Sequence, residues 1–543
     1  MRKDPSLGNS WPSSCRIVAE PEARPERPFR AGNYGELMDE QPTEDLPNAW
    51  GPRLADLASR KQRSRAMGGP EKIDKHHGRG SLTARERIDL LVDPGTFREI
   101  GPLVGGEIPS DAFVCGWARI DGRPIVVGCE DFTVLGGSIG SGSTAKRYRI
   151  AEIALQERCP HILILDGAGH RPAMPGQSHM RAPTDLIIQA QLSGHVPFIT
   201  AVLGASAGHS AMAVPIADWT VMAANSAVFT AGPPLVKEAL GEVIDKHSLG
   251  GAQVAVTAGT VHNVAKDDEI ALQLIRAYLS YFPSSAWGYA PVRVDGTDRG
   301  PRLVPELLEL VPVDGRRLYD MREVVSVIVD NGEFFQVQPD FGRTIVCALA
   351  HLGGYPVGIV ANQPAEKGGA VDSDGAMKGA RFIEVCDSFH VPLIFLGDNP
   401  GVMAGSEAER ESILRYGGRM FAAQMRTTTI KFHVTFRKAY GFGGCIMGLL
   451  GFTGNSRSYA FPGATMGAMP ARGSSKATHA SEDTTALLAQ AELESSYKAA
   501  QGLTFDDLID PRELRNLLRE GVQVATEGRS TNPQPVARVG ILP

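Results

Sequence analysis

A chain of 543 residues, 43% hydrophobic and 21% charged, has the composition of a soluble globular protein, and it is too long for one ordinary core. Its net charge of −6, with no basic stripe carrying interleaved aromatics, argues against nucleic acid and anionic membranes as partners. The seven cysteines, at positions 15, 115, 129, 159, 347, 386 and 445, stand singly, which excludes a zinc ribbon and fits reduced thiols in a cytoplasmic protein.

Residues 1–52 are rich in Pro, Arg and Glu without periodicity, as in Pro21-Glu22-Ala23-Arg24-Pro25-Glu26-Arg27-Pro28, and read as a disordered or loosely attached extension. No apolar run of a secretory signal follows Met1-Arg2-Lys3-Asp4-Pro5. Charged helical patterns occupy 54–75 and 83–91. The connector between them ends in Gly78-Arg79-Gly80, and His76 and His77 read as solvated there. Residues 113–120, the Asp121-Gly122 turn and 124–128 spell a β-hairpin. Short apolar runs at 161–165 and 198–203 flank a helical pattern at 184–192, the alternation of a βαβ unit with buried parallel strands. The most apolar window, 196–216, is broken by Gly204, Gly208, His209 and Ser210; it reads as a buried strand and a small-residue helix, not a membrane span. A Pro- and Gly-rich stretch over 282–312 divides a domain at 53–290 from one at 313–543, with 291–312 as linker. Beyond it the order returns, with strands at 344–349 and 356–360 around Gly353-Gly354, a helix over 375–389 and a strand over 392–396.

The two halves share a glycine-rich pattern 232 residues apart. Leu165-Asp166-Gly167 and Gly397-Asp398-Asn399 precede strand-like runs that enter Gly204-Ala205-Ser206-Ala207-Gly208-His209-Ser210-Ala211 and Gly441-Phe442-Gly443-Gly444-Cys445. Phe229 and Phe461 follow, each 63 residues after its aspartate. Each strand thus runs into a turn of small residues that opens a helix. The first N–H groups of a helix lack internal partners and sit at its positive end. Two of them aimed at one point stabilise an oxyanion, and small side chains let a carbonyl approach the backbone. The donors are expected near Gly208 and His209 in the first copy and near Phe442 and Gly443 in the second. The same glycines would equally serve close helix–strand packing, and duplication alone names no reaction.

The segments Gly136-Gly137-Ser138-Ile139-Gly140, Asn362-Gln363-Pro364, Asp398-Asn399-Pro400-Gly401 and Arg437-Lys438-Ala439-Tyr440-Gly441 resemble, in that order, the carboxyltransferase β subunits of biotin-dependent acyl-CoA carboxylases, over roughly residues 55–530. The resemblance implies an α/β fold of two tandem crotonase-like domains, each a βαβ spiral. It further implies acyl-CoA on the first domain, carboxybiotin on the second, and dimers, built into a hexamer, in which the first domain of one subunit faces the second of another. In the implied reaction CO2 leaves carboxybiotin, the biotin ureido anion takes the acyl α-proton, and the thioester enolate attacks CO2. Gly208 and His209 would hold the enolate oxygen and Phe442 and Gly443 the ureido oxygen, with Gly136, Gly137, Ala168, Gly169 and Cys445 binding substrate. No side-chain base is then required. Biotin would arrive on a biotin carboxylase and carrier partner, because the chain displays no biotinyl or ATP-binding domain. Three other readings stay open: a biotin-dependent decarboxylase or transcarboxylase, a lone crotonase-type hydratase or isomerase, and a non-catalytic scaffold subunit. The hydratase would need a carboxylate pair near one hole, and neither turn contains Asp or Glu.

Several positions depart from the family pattern. Ala207-Gly208-His209-Ser210 replaces Ala-Gly-Gly-Ala, Gly441-Phe442-Gly443-Gly444 replaces a run beginning Gly-Gly-Ala, and Ala168-Gly169-His170 interrupts a run of glycines. Main-chain donors survive such changes, but His209 and Phe442 stand where their side chains would crowd the holes. Cys445 occupies a position that in some members helps to choose acyl length, and would serve equally as a buried packing residue. Ala376-Met377-Lys378-Gly379 imitates a biotin-attachment signature, but its helical context makes Lys378 a surface helix lysine. Lys146, Arg147 and Arg181 are basic candidates for CoA phosphates, or simply solvated. His170, His179 and His195 lack metal-site spacing, and no metal is expected.

Overall fold

The computed structural model describes residues 50–172, 185–449, 454–536 and 541; most of the 1–52 extension, His179 and Arg181 lie outside them. Two eight-stranded sheets repeat one topology. The first contains β1 (Arg98–Glu99), β2 (Phe113–Ile120), β3 (Arg123–Glu130), β4 (His161–Gly167), β5 (Phe198–Ala207), β6 (Trp219–Ala223), β7 (Ala227–Phe229) and β8 (Asn263–Ala265), ordered β1-β2-β3-β4-β5-β6-β8 with β7 against β5. The second contains β9 (Phe334–Val337), β10 (Ile345–Leu352), β11 (Tyr355–Asn362), β12 (Leu393–Asn399), β13 (Lys431–Tyr440), β14 (Asn455–Ala460), β15 (Thr465–Gly467) and β16 (Asp507–Leu508). Its strands run β9-β10-β11-β12-β13-β14-β16, with β15 against β13. In each sheet the first three strands pair antiparallel and the rest parallel. The β2–β3 hairpin turns on Asp121 and Gly122, both with positive φ (50° and 77°), the conformation a two-residue hairpin requires.

The repeat is exact enough to share its irregularities. The ladder between β4 and β5 slips between Leu165 and Gly167, and the one between β12 and β13 slips between Gly397 and Asn399. One feature of the sequence repeat does not survive. Phe229 on β7 pairs with Ala207, whereas the equivalent Tyr440 pairs with Gly467 on β15. Phe461 lies just past β14, where its N–H donates to the Thr435 carbonyl. Phe229 and Phe461 are therefore not counterparts, because 24 residues separate β13 from β15 and only 19 separate β5 from β7.

Period-two alternation sorts each strand between two cores. Ile162 and Ile164 face one core, while Leu163 and Leu165 face another that also holds Ile150 of the helix Ser141–Glu157 and Ile188 of the helix Asp185–Leu192. In the second sheet Leu393 and Phe395 join the first of these cores, and Ile394 and Leu396 face a third. The first core is thus common to both halves, with Trp219 stacked on Tyr278 at 4.7 Å and meeting Phe335 edge-on at 5.5 Å. The halves stack head to tail. The helix pair that is outermost in the first half has its counterpart, Ser373–Ser388 and Ile413–Arg426, inside the shared core. Across the junction Arg381 donates to the carbonyls of Pro215 and Ala217, and Asn263 to that of Gln336 at 2.9 Å.

Three expectations about charged residues are corrected. His76 is buried, its Nε2 3.1 Å from the Leu82 carbonyl and its ring stacked on Phe132, because the segment folds back instead of remaining in solvent. Lys378 is on a helix but not on the surface: its ammonium donates to the carbonyls of Phe341 (2.6 Å) and Gln338 (3.1 Å), and burial pushes its pKa down to about 8. Lys146, 232 residues earlier, makes the same capping contacts to Phe113 and Ser110 and is likewise buried, so it is not available to a phosphate. Among the described residues no helix is long and apolar enough to cross a membrane.

Candidate functional site

Both central strands end on a glycine in the left-handed region, Gly208 at φ 58° and Gly441 at φ 52°, where any other side chain would be strained. These two glycines are counterparts, so His209 and Ser210 correspond to Phe442 and Gly443. The N–H groups of His209 and Ser210 have no acceptor among the described residues, and Phe442 and Gly443 lie in the first turn of the helix Gly441–Ile446, where N–H groups lack intrahelical partners. Gly208 differs: its N–H donates to the Phe229 carbonyl at 3.1 Å. Of the donor pair expected at Gly208 and His209, only His209 keeps an open N–H, and Ser210 follows it with another. The physical reason is that β7 continues the sheet far enough to use the Gly208 amide. In the second half the corresponding amides are those of Phe442 and Gly443, in the first turn of Gly441–Ile446.

Tight backbone layers wall these turns. In the first half the Ala168 N–H donates to the Gly136 carbonyl (2.9 Å) and the Ile139 N–H to the Gly169 carbonyl (2.8 Å). A Cβ on Gly137 would lie 2.3 Å from the Asp166 carbonyl oxygen, and one on Gly169 would lie 2.6 Å from that of Ala207. Gly136, Gly137, Ala168 and Gly169 are thus brought together beside the turn. The second half repeats the arrangement with Gly368, Gly369 and Gly401: a Cβ on Gly369 would lie 2.8 Å from the Asp398 carbonyl oxygen, and the Val371 N–H donates to the Gly401 carbonyl at 3.2 Å. Sequence reasoning missed this second wall, although Lys367-Gly368-Gly369-Ala370-Val371 follows Leu135-Gly136-Gly137-Ser138-Ile139 at the same 232-residue offset. Gly443 sits directly against it, with a hypothetical Cβ 2.5 Å from Asn399 Oδ1 and 2.6 Å from Gly401 Cα. Cys445 lies two residues on, in the short helix Gly441–Ile446. It is half-buried, its carbonyl accepts from Gln424, and it corresponds to the exposed Met212.

The unusual side chains at the turns point away from the free amides. His209 Nε2 hydrogen-bonds Asp185, and Ser210 Oγ donates to Glu130. Arg147 joins the two carboxylates, Nε to Asp185 at 2.6 Å and Nη1 to Glu130 at 3.0 Å, and all three side chains are buried. Arg147 is consequently a structural cation and not a phosphate ligand. Glu130 also accepts the Asp166 N–H at 2.8 Å. Burial opposes ionisation of Asp185, but the hydrogen bond from His209 and the Arg147 charge outweigh it and hold the carboxyl well below the usual carboxylate range. Burial raises the Glu130 pKa despite Arg147 and Ser210. In the second half the ring of Phe442 lies over Gly417, where a Cβ would be 2.8 Å away, and 6.3 Å from the ring of Phe421. Neither His209 nor Phe442 crowds its turn. Among the described residues no three His, Cys, Asp or Glu side chains gather as a metal site.

Residues 75–539 match the family model of the carboxyl transferase domain. The chain is 33% identical, over 89% of its length and 95% of the relative's, to the methylmalonyl-CoA carboxyltransferase 12S subunit of Propionibacterium freudenreichii subsp. shermanii. It is 34% identical, over 84% and 87%, to the mitochondrial propionyl-CoA carboxylase beta chain of Homo sapiens. A transcarboxylase 12S structure, solved as a hexamer assembly with methylmalonyl-CoA bound, superposes at a TM-score of 0.82 with 31% identity, over 90% of this chain and 98% of that one. A single-chain, multi-domain long-chain acyl-CoA carboxylase superposes at 0.78 over 86% of this chain and 48% of that one. With two crotonase-like halves and a backbone turn in each, the chain belongs to the carboxyl transferase domain family of acyl-CoA carboxylases.

Proposed function

We propose that this protein is the carboxyltransferase subunit of an acyl-CoA carboxylase, moving CO2 from carboxybiotin to the α-carbon of an acyl-CoA. The observation that carries the assignment of the site is the pair of equivalent turns, each presenting consecutive N–H groups just after a glycine in the left-handed region. The amides of His209 and Ser210 hold the thioester oxygen as it gains negative charge, a task for which fixed backbone dipoles need no reorganisation. The amides of Phe442 and Gly443 hold the ureido oxygen of biotin. At the second turn Gly443 packs directly against Asn399 and Gly401, and Phe442 directs its own ring onto Gly417. Held at that turn, biotin would supply the carboxyl group and the base for the acyl α-proton. Gly136, Gly137, Ala168 and Gly169 form the wall beside the acyl turn, and Cys445 lies on the biotin-side helix where it meets the acyl chain.

Biotin comes on a partner subunit, and the subunits assemble as dimers within a hexamer that set the acyl turn of one against the biotin turn of another. The relative solved as a hexamer supports this arrangement. The relatives named for propionyl-CoA and methylmalonyl-CoA make short α-carbon acceptors the first to test. The test is carboxylation of an acyl-CoA panel by the full chain with biotinylated carrier and biotin carboxylase. Label from bicarbonate is expected on the acyl α-carbon of at least one member; a folded chain that binds CoA esters and labels none would favour a scaffold.

A further inference from the structure

The polar set behind the acyl turn has no counterpart behind the biotin turn. Position by position, Glu130, Arg147, Asp185, His209 and Ser210 correspond to Asn362, Gly379, Gly417, Phe442 and Gly443. Glu130 and Asn362 do share one task, since each accepts the N–H of the following strand's aspartate, Asp166 at 2.8 Å and Asp398 at 2.7 Å. Position 209 also touches position 185 as Phe442 touches Gly417, by a hydrogen bond in one half and a ring over a glycine in the other. The same backbone turn thus forms with no charged side chain at these five positions, so the fold alone does not require the arginine and two carboxylates of the first half. A buried ion set of this kind is weak evidence for stability, because desolvation offsets most of its attraction. What it does is tie the two residues that own the free amides. Asp185 holds His209 and Glu130 holds Ser210, and Arg147 fixes the distance between the two carboxylates.

We propose that Asp185, Glu130 and Arg147 are positioning residues that aim the His209 and Ser210 amides at the thioester oxygen by gripping those residues' side chains. The inference rests on the carboxyltransferase reading of this turn. It explains how a turn with two ordinary side chains can replace a pair of small residues: lost backbone freedom is exchanged for side-chain tethers. The biotin turn, whose donors carry a packed ring and a glycine, needs no tether.

The test compares binding of propionyl-CoA with that of S-propyl-CoA, a thioether of the same length that lacks the carbonyl oxygen. In the wild-type chain the thioester should bind more tightly, and the ratio of the two dissociation constants measures what the carbonyl oxygen gains. In His209→Leu with Ser210→Ala, and separately in Asp185→Ala with Glu130→Ala, the ratio should collapse about tenfold toward one, with S-propyl-CoA affinity unchanged. Turnover should fall about 100-fold, the scale of losing one oxyanion donor, and KM for propionyl-CoA should rise together with its dissociation constant. His209→Gln keeps a donor for Asp185 and should restore much of the ratio. An unchanged ratio in both pairs of variants would overturn the positioning role alone. A ratio near one in the wild type would overturn the acyl-turn reading as well.

Discussion

Arg87 and Arg437 deliver the same guanidinium to equivalent aspartates from non-equivalent places. Asp166 accepts Arg87 Nη1 at 2.8 Å, and Asp398 accepts Arg437 Nε at 2.6 Å. The counterpart of Arg87 is Tyr319, whose hydroxyl donates to Asp398 at 2.9 Å, and the counterpart of Arg437 is Gly204. A Cβ on Gly204 would lie 1.8 Å from Asp166 Oδ1, so the glycine makes room for a carboxylate served from the opposite side. The two halves have exchanged the position of the cation while keeping the charge pair under the strand that carries each turn.

Removing that cation should be costly. Arg87→Met leaves Asp166 and Asp268 buried beside it without their shared partner. Unfolding in denaturant should show a loss of about 3–5 kcal/mol, the usual range for breaking a buried pair from one side. A loss below about 1 kcal/mol would mean that the carboxylates find another partner or a proton.

The wall beside the acyl turn should not tolerate a methyl group. Gly137 has φ 63°, and its Cβ would lie 2.3 Å from the Asp166 carbonyl oxygen. Gly137→Ala should weaken acyl-CoA binding by about tenfold or more and lower the melting temperature, since strained backbone and a forced shift act together. Wild-type affinity in this variant would show that the wall lies away from the substrate.

The junction between the halves contains a titrating carboxyl. Burial, partly offset by the Phe198 N–H and the Arg381 charge, pushes Asp218 up to about 7 from its ordinary 3.8. The folded chain then holds a proton that the unfolded chain releases, so this contribution is full below about pH 4 and is lost as pH rises through about 7. Asp218→Asn keeps an acceptor for the Phe198 N–H and cannot ionise. Denaturant midpoints should therefore show wild-type stability falling relative to the variant from pH 4 to 8. A difference that does not vary with pH would contradict the assignment.

Much of this was legible in the sequence, for identifiable reasons. The strands, the Asp121-Gly122 hairpin and the duplicated turns announce themselves through alternation and glycine. The family motifs, which lie on the turns and their walls, name the chemistry. What was hidden depends on distant residues. Nothing local says that Lys146 and Lys378 cap strand-end carbonyls, or that Arg147 is buried between Glu130 and Asp185, because their partners lie 17 to 40 positions away. The engagement of the Gly208 amide was invisible for a related reason: it depends on β7 reaching that residue. The equal 63-residue spacing of Phe229 and Phe461 misled, since chain length between strands differs between the halves.

In the proposed reaction the two turns serve different reactants. Gly443→Ala tests this, because the added methyl group would lie within 2.6 Å of both Asn399 Oδ1 and Gly401 Cα beside the biotin-side amides. Carboxyl transfer from the biotinylated carrier to propionyl-CoA and the dissociation constant of propionyl-CoA should be measured on the same preparation. Transfer is expected to fall at least about 100-fold, the loss typical of a displaced oxyanion donor, while the propionyl-CoA dissociation constant stays at its wild-type value. Undiminished transfer, or a loss of transfer matched by an equal loss of propionyl-CoA binding, would contradict the assignment of the second turn to biotin.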